Sequence, residues 1–251
     1  MHRSGPTAIQ PVRDLCFNLE HWCLWHSAVA TPQRTWPGGE LLPHVAGGAD
    51  VQFIPMLQRR RMSPLARAAC AVAWHCREKA GNLPAVYCSL HGESLDYYEL
   101  LENLSLNQPI SPSRFSLCVH NAIAGLFSMQ SRCTLPYIAL AGGSDGLFAA
   151  FIEAAGLLQE TPRVLLVCYE QPLPLVYQDY LVTPYATWAL AMVLSHPTED
   201  CQQFCLRREL IDHHPALPDK STDLIEAILA DNRTGHTQLE GVVWHWSLQH
   251  V

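Results

Sequence analysis

Apolar and polar positions divide the chain into short apolar runs separated by helical stretches. The run VRDLCFNLEHWCLWH, residues 12–26, alternates apolar positions and carries large aromatics, which predicts a strand followed by a short irregular piece. Residues 31–50 are rich in Pro and Gly and read as a loop. After Arg59-Arg60-Arg61-Met62, Ser63 and Pro64 form an N-cap and first-turn pair. Leu65, Ala69, Val72, Ala73 and Cys76 then recur at helical spacing until Gly81 closes the helix. PAVYCS, residues 84–89, reads as a short buried strand, His91-Gly92-Glu93 as a turn and Leu95–Leu104 as a helix. Ile110-Ser111-Pro112 breaks the chain before a helix around Val119–Phe127. Tyr137–Leu140 is an apolar strand that leads through a tight turn into a helix with small residues on one face. Arg163–Tyr169 is continuously apolar, as in a strand covered on both faces. Tyr185–Leu194 reads as strand or helix, Ser221–Ala230 as a short helix and Gln238–Leu248 as a last alternating strand. Strands separated by helices predict an α/β fold with a mostly parallel sheet.

Composition narrows the class. The chain has 251 residues and is 49% hydrophobic, enough for one sizeable core or two small ones. A net charge of −7 argues against a general nucleic-acid binder, which needs a basic surface, and permits a partner with basic docking residues. Met1–Pro6 leads into no long apolar run, so no signal peptide is expected. No uninterrupted apolar run reaches the ~18 residues of a membrane span. Of the 10 cysteines, Cys70, Cys76, Cys88, Cys118 and Cys168 sit in apolar periodic segments. They read as reduced small hydrophobes of a cytoplasmic protein. No C-x-x-C pair is present, and Cys201 and Cys205 near His213 and His214 match no zinc spacing, so no metal site is expected.

The candidate chemistry lies in IALAGGSDGLFAAFIEAAGLL, residues 138–158. Gly142-Gly143-Ser144-Asp145-Gly146 satisfies G-x-S-x-G, the pattern that places a serine on a sharp strand-to-helix turn in α/β-hydrolases. A serine esterase or hydrolase would use Ser144 as nucleophile, Asp179, Asp200 or Asp212 as acid, and His213, His236 or His245 as base. The 13 histidines make such a match cheap. The HGGG-type oxyanion loop is absent, and His91-Gly92-Glu93 is a poor substitute.

Four separated pieces carry a second reading. RRRMSPLARAACAVAW, ISPSRFSLCVHNAIAGLFSM, TLPYIALAGGSDGLFAAFIEAA and RVLLVCYEQP together resemble the N-terminal half of a β-ketoacyl synthase, with its thiolase-like fold. The SP..FS..VHNAIAG run resembles β-ketoacyl synthase-like N-terminal domain proteins. These look like chain-length factors of bacterial aryl-polyene and type II polyketide-like ketosynthases. The resemblance favours a strand at Tyr185–Leu194 and implies a single thiolase-like half-domain over residues 1–251. Its core is roughly 57–175, with N- and C-terminal strands added, in a mostly parallel mixed sheet with helices on both faces.

In the ketosynthases this chain resembles, the turn holds a cysteine in C-x-S-G. The cysteine attacks an acyl thioester, helped by the helix N-terminus. Registering on Gly146 puts Gly143 at the cysteine and Asp145 at the serine, with Ser144 one residue out of place. The histidine motifs of the family's C-terminal half do not appear, and Gly235-His236-Thr237 is a superficial echo. The resemblance therefore implies a chain that is not an enzyme on its own and needs no cofactor. It implies a heterodimer with a full-length β-ketoacyl-ACP synthase and transient contact with acyl carrier protein. The interface strand is expected within Cys133–Ala141, at Thr134, Leu135, Pro136, Tyr137, Ile138, Ala139 and Leu140. Arg114, Phe115, Cys118 and Asn121 are expected near the partner's acyl tunnel, with Phe115 as gate, and Leu126, Phe127 and Met129 along the seam. Arg59–Arg61 could dock an acidic carrier protein. A stand-alone acyl- or carrier-binding module is the remaining alternative. His120-Asn121 is expected to hold the backbone, and Trp244 and Trp246, either side of His245, to share a core or interface face.

Overall fold

The computed structural model describes residues 14–29, 34–45, 48–177, 185–199, 201–211, 223–239 and 241–250. Strands β1 (Leu15–His26) and β2 (Gly39–Leu41) precede helices α1 (Met56–Arg59) and α2 (Pro64–Ala80). Then follow β3 (Ala85–Cys88), α3 (Ser94–Ser105), α4 (Pro112–Phe115), α5 (Ala122–Ser131) and β4 (Tyr137–Leu140). A 3-10 turn (Gly143–Phe148) joins β4 to α6 (Ala149–Leu157), and β5 (Arg163–Glu170), β6 (Trp188–Ser195) and β7 (Gln202–Leu210) come next. Helix α7 (Asp223–Leu229), β8 (Thr234–Leu239) and β9 (Val242–His250) end the described chain.

The strands form one nine-stranded sheet in the order β4-β3-β5-β6-β1-β7-β9-β8, with β2 added beside β1. It is mixed, as expected, but parallel pairing does not predominate. β4-β3, β3-β5 and β1-β2 are parallel. β5-β6, β6-β1, β1-β7, β7-β9 and β9-β8 are antiparallel. The expected single C-terminal strand is two, β8 ending at Leu239 and β9 starting at Val242, and β7 comes from a stretch that the apolar pattern leaves unassigned.

Helices cover both faces, and period-two alternation sorts the side chains between them. On β5, Val164, Leu166 and Cys168 join one core with Phe151 of α6 and Ile225 of α7. Leu165, Val167 and Tyr169 join the other with α2 and α5. Strand β6 offers Leu190, Met192 and Leu194 to the first face but Ala189, Ala191 and Val193 to the second. Those small residues meet Ala68, Ala69, Val72 and Ala73, so α2 lies close on the sheet. Ser63 caps α2 as expected: its hydroxyl accepts from the Ala66 amide at 2.9 Å, with Pro64 in the first turn. Gly81 ends the helix at φ 78°.

Cys70, Cys76, Cys88, Cys118 and Cys168 carry free thiols. Cys16 and Cys205, directly opposite on β1 and β7, form a disulfide. Cys205 is therefore no partner for a metal. Among the described residues no helix is long and apolar enough to cross a membrane.

Candidate functional site: a glycine elbow beside an open sheet edge

Strand β4 is the edge of the sheet and pairs only with β3 among the described strands. The Ala85 amide donates to the Pro136 carbonyl and the Ser89 amide to the Leu140 carbonyl. In a parallel ladder each residue turns both backbone groups to one side, and successive residues alternate. Pro136, Ile138 and Leu140 therefore serve β3, and the amides and carbonyls of Tyr137 and Ala139 face outward. Thr134, Leu135, Pro136 and Tyr137 are exposed, and Ile138, Ala139 and Leu140 half-buried. Beside the strand Leu135 and Tyr137 close a groove walled by Tyr87, Ala124 and Phe127. The result is an apolar, uncovered edge of the kind that pairs with another chain.

Beyond β4 the backbone turns sharply. A Cβ on Gly142 would sit 1.8 Å from the Gly146 carbonyl oxygen, so only glycine allows the closure. Gly143 follows at φ +55°, exposed, with open space where a side chain would project. Gly146 also takes φ +55°, so two positions of this elbow lie in the backbone region that favours glycine, and Gly143 itself carries no nucleophile. Asp145 does not present a loose charge to this space. Its carboxylate accepts from the Arg208 guanidinium of β7 at 2.8 Å and from the Trp244 indole of β9 at 3.0 Å. Trp244 in turn stacks on Phe148, at 5.3 Å between ring centroids. The turn is bolted to the far half of the sheet.

The triad expected for a hydrolase is not assembled by the described residues. His236 and His245 face each other across β8 and β9 on the exposed side, opposite to the buried Trp244 that reaches the turn. His245 is engaged by Glu209 at 3.0 Å. Asp179, Asp200, Asp212, His213, His214 and the side chain of Ser144 lie outside the described residues.

The residues expected near a partner's tunnel divide into two groups. Phe115 on α4 is 55% exposed and Met129 on α5 is 67% exposed. Asn121 is exposed as well, and Cys118 is half-buried. Burial and the nearby Asp96 push the Cys118 thiol up to about 11, so it is no ready nucleophile. Arg114 is already occupied: its guanidinium pairs with Asp96 at 3.0 Å and Glu99 at 2.7 Å on α3. Leu126 and Phe127 belong to the core under α2, and Phe127 meets the surface only as a wall of the groove. Arg60 and Arg61 are exposed and, with Arg114, line an open cleft. Trp244 and Trp246 share the buried face as expected.

The family profile described as "Beta-ketoacyl synthase, N-terminal domain" matches residues 25–247. This chain belongs to that family. The fold agrees. A structure described as a ketosynthase (ApeO) in complex with its chain length factor (ApeC) from Xenorhabdus doucetiae superposes at TM-score 0.72 with 21% identity. The match covers 93% of this chain and 99% of that one. The ketosynthase from module 6 of the bacillaene synthase of Bacillus subtilis gives TM-score 0.50 at 13% identity, over 86% of this chain and 46% of that one. No curated protein matches the sequence. The thiolase-like ketosynthase fold expected from the four sequence pieces is thus the fold of the chain.

One grouping escapes the sequence reading altogether. His21, Cys23 and Cys76 place their donor atoms within 4.8 Å of one another in the core between β1 and α2. Only the alternation His21-x-Cys23 hints at it, since both side chains of such a pair leave a strand on one face. Cys76 comes from a helix whose register against β1 no spacing rule reveals.

Proposed function

We propose that this chain is a non-catalytic, chain-length-factor-like subunit that heterodimerises with a full-length β-ketoacyl-ACP synthase and shapes its acyl or polyene tunnel. The observation that carries the reading is the pairing of an open β4 edge with a glycine elbow that has Gly143, which bears no side chain, where the resemblance expects the nucleophile. In a working ketosynthase the elbow holds the nucleophile and the strand before it meets the partner. Here the second feature is kept without the first. Asp145, locked to Arg208 and Trp244, preserves the turn as a shaped wall.

In this reading residues 1–251 form one thiolase-like half-domain. Thr134–Leu140 supply the interface strand, and α4 and the start of α5 approach the partner's tunnel. Phe115 is the gate, with Cys118, Asn121 and Met129 beside it. Arg114, tied to α3 by two carboxylates, fixes the α3-α4 pair rather than reaching into the tunnel. Leu126 and Phe127 support this seam from the core. A tunnel closed by such side chains rejects an added methylene at a cost of about 1–3 kcal/mol, enough to stop elongation at a preferred length. Arg60 and Arg61 on the open cleft suit transient docking of an acidic acyl carrier protein. The reading places the complex in the cytoplasm, where its carrier-bound substrates are.

The test is co-expression of the tagged chain with the ketosynthases encoded beside it, followed by mass and stoichiometry of the eluted species. A stable one-to-one heterodimer is the expected outcome. A clean monomer or homodimer at high concentration would sink the reading. A serine-directed probe that labelled Ser144 stoichiometrically would then favour the hydrolase.

A further inference from the structure

We infer that His21, Cys23 and Cys76, completed by Glu40, form a structural zinc site that staples β1, β2 and α2 together. Nothing in the ketosynthase-like reading uses this cluster. It lies in the core on the α2 side of the sheet, whereas the helix that follows the elbow packs on the other side.

The donor set is the first argument. Two thiols and one imidazole are the ligands that zinc prefers over magnesium or calcium. Cys23 and Cys76 are fully buried and His21 nearly so. The spacing is the second. Cys23 Sγ lies 3.3 Å from His21 Nε2 and 3.8 Å from Glu40 Oε1, and His21 Nε2 lies 3.6 Å from Glu40 Oε1. A tetrahedral ion with Zn–S near 2.3 Å and Zn–N or Zn–O near 2.0–2.1 Å sets its ligand atoms roughly 3.3–3.6 Å apart. The three edges among His21, Cys23 and Glu40 fall within a few tenths of an ångström of that, and Cys76 Sγ lies within 4.8 Å of the His21 and Cys23 donor atoms.

Orientation is the third argument. The other ring nitrogen of His21, Nδ1, lies 2.9 Å from the Gly38 carbonyl, which can only accept. Nδ1 is therefore the protonated nitrogen, and the lone pair of Nε2 points into the cluster. This outer hydrogen bond is the arrangement that metal-bound histidines use. The fold supplies the fourth group by register. Glu40 on β2 stands opposite Cys23 on β1, half-exposed at the rim, and gives the ion a path from solvent. Lys79, 3.3 Å from Glu40, and His75, 3.9 Å from it, sit at the same rim.

The charges close. Zinc displaces the thiol protons of Cys23 and Cys76, which pass to solvent, and the two thiolates neutralise the dication. The remaining charge of the Glu40 carboxylate is offset by the Lys79 ammonium.

The full chain, with its synthase partner where one co-purifies, would be isolated under reducing conditions without chelator and its metal content measured. About one zinc per chain is expected. Exchange into cobalt should produce a thiolate-to-cobalt charge-transfer band and the intense visible bands of a tetrahedral ion. His21→Gln should weaken binding by more than about 100-fold, beyond the loss that follows removal of an outer partner. Cys23→Ser and Cys76→Ser should each remove most of the charge-transfer intensity. The wild-type cobalt spectrum needs no variant to fold. A reduced, folded chain that takes up neither zinc nor cobalt overturns the site. So do cobalt bands that persist unchanged in both serine variants, or a Cys23–Cys76 disulfide in the purified protein.

Discussion

The two ends of the sheet are built to opposite rules. At the β8 end the edge strand reads Thr-Gly-His-Thr-Gln-Leu, a polar alternation, and its neighbour β9 pairs along its length with β7 and over Val242–Ser247 with β8. Such an edge is poorly suited to recruit another chain. At the β4 end the edge strand is Tyr-Ile-Ala-Leu, short and apolar, flanked by exposed Leu135 and Pro136. The acidic groups follow the same division. Asp145, which ties the elbow to the β7-β9 half, has a guanidinium and an indole as donors. Glu93, in the loop after β3, is buried; among the described residues the Ser63 hydroxyl donates to it at 2.7 Å and its second oxygen has no hydrogen-bond partner. One end is finished by its own side chains, and the other reads as a surface that a partner completes.

The largest effect is expected from breaking the open end without touching the rest. Ala139 turns its amide away from β3, so Ala139→Pro deletes an outward donor and sets a ring in the path of an incoming strand. Association with the synthase should fall about 100-fold or more, equivalent to roughly 3 kcal/mol. Far-UV circular dichroism of the isolated variant should stay that of the wild type. Undiminished affinity by titration calorimetry would show that β4 is not the contact.

Glu93 gives the next effect and sharpens the contrast between the two carboxylates. Burial raises its pKa from 4.5 to about 7. The folded state therefore holds this proton more tightly than the unfolded chain. Its contribution to stability is complete below about pH 4.5 and is lost as pH rises through about 7. The loss is up to about 3 kcal/mol, from 1.36 kcal/mol per pKa unit. Glu93→Gln should keep the Ser63 bond and abolish this decline, so the variant gains on the wild type in chemical denaturation at pH 8 but not at pH 5. Parallel pH profiles for the two proteins would show that Glu93 stays charged at ordinary cost.

These two ends were unequally legible from the amino-acid pattern. The α2 boundaries followed from Ser63-Pro64 and Gly81, and β3, β4 and β5 from dense apolar runs, because local chemistry decides them. Strand β7 escaped because Gln202, Arg207, Arg208 and Glu209 dilute its pattern. Only Phe204 and Leu206 reach the core, and the strand is held by pairing with β1 and β9. The same pairing sets Cys16 against Cys205, so the disulfide was invisible until the register was known. At the candidate site the glycine elbow was readable from GGSDG, and the function of Asp145 was not. Its donors, Arg208 and Trp244, come from strands remote in the chain, and burial of Leu126 and Phe127 under α2 is likewise a matter of tertiary packing.

Asp145 allows the smallest effect to be stated against the first two. Removing its carboxylate strands the Trp244 indole, which is buried, and leaves the half-buried Arg208 guanidinium without its acceptor. Losing hydrogen bonds to a charged acceptor costs about 2 kcal/mol. For a chain of this size that lowers the thermal midpoint by roughly 4–8 °C. Asp145→Asn keeps an oxygen for the indole, so it should cost less than Asp145→Ala, and the difference between the two isolates the Arg208 charge pair. If both variants melt within about 1 °C of the wild type, the clamp is ornamental, and the turn owes its shape to Gly142, Gly143 and Gly146. If Asp145→Ala also loosens association with the synthase, the finished end of the sheet holds the elbow in place for the open one.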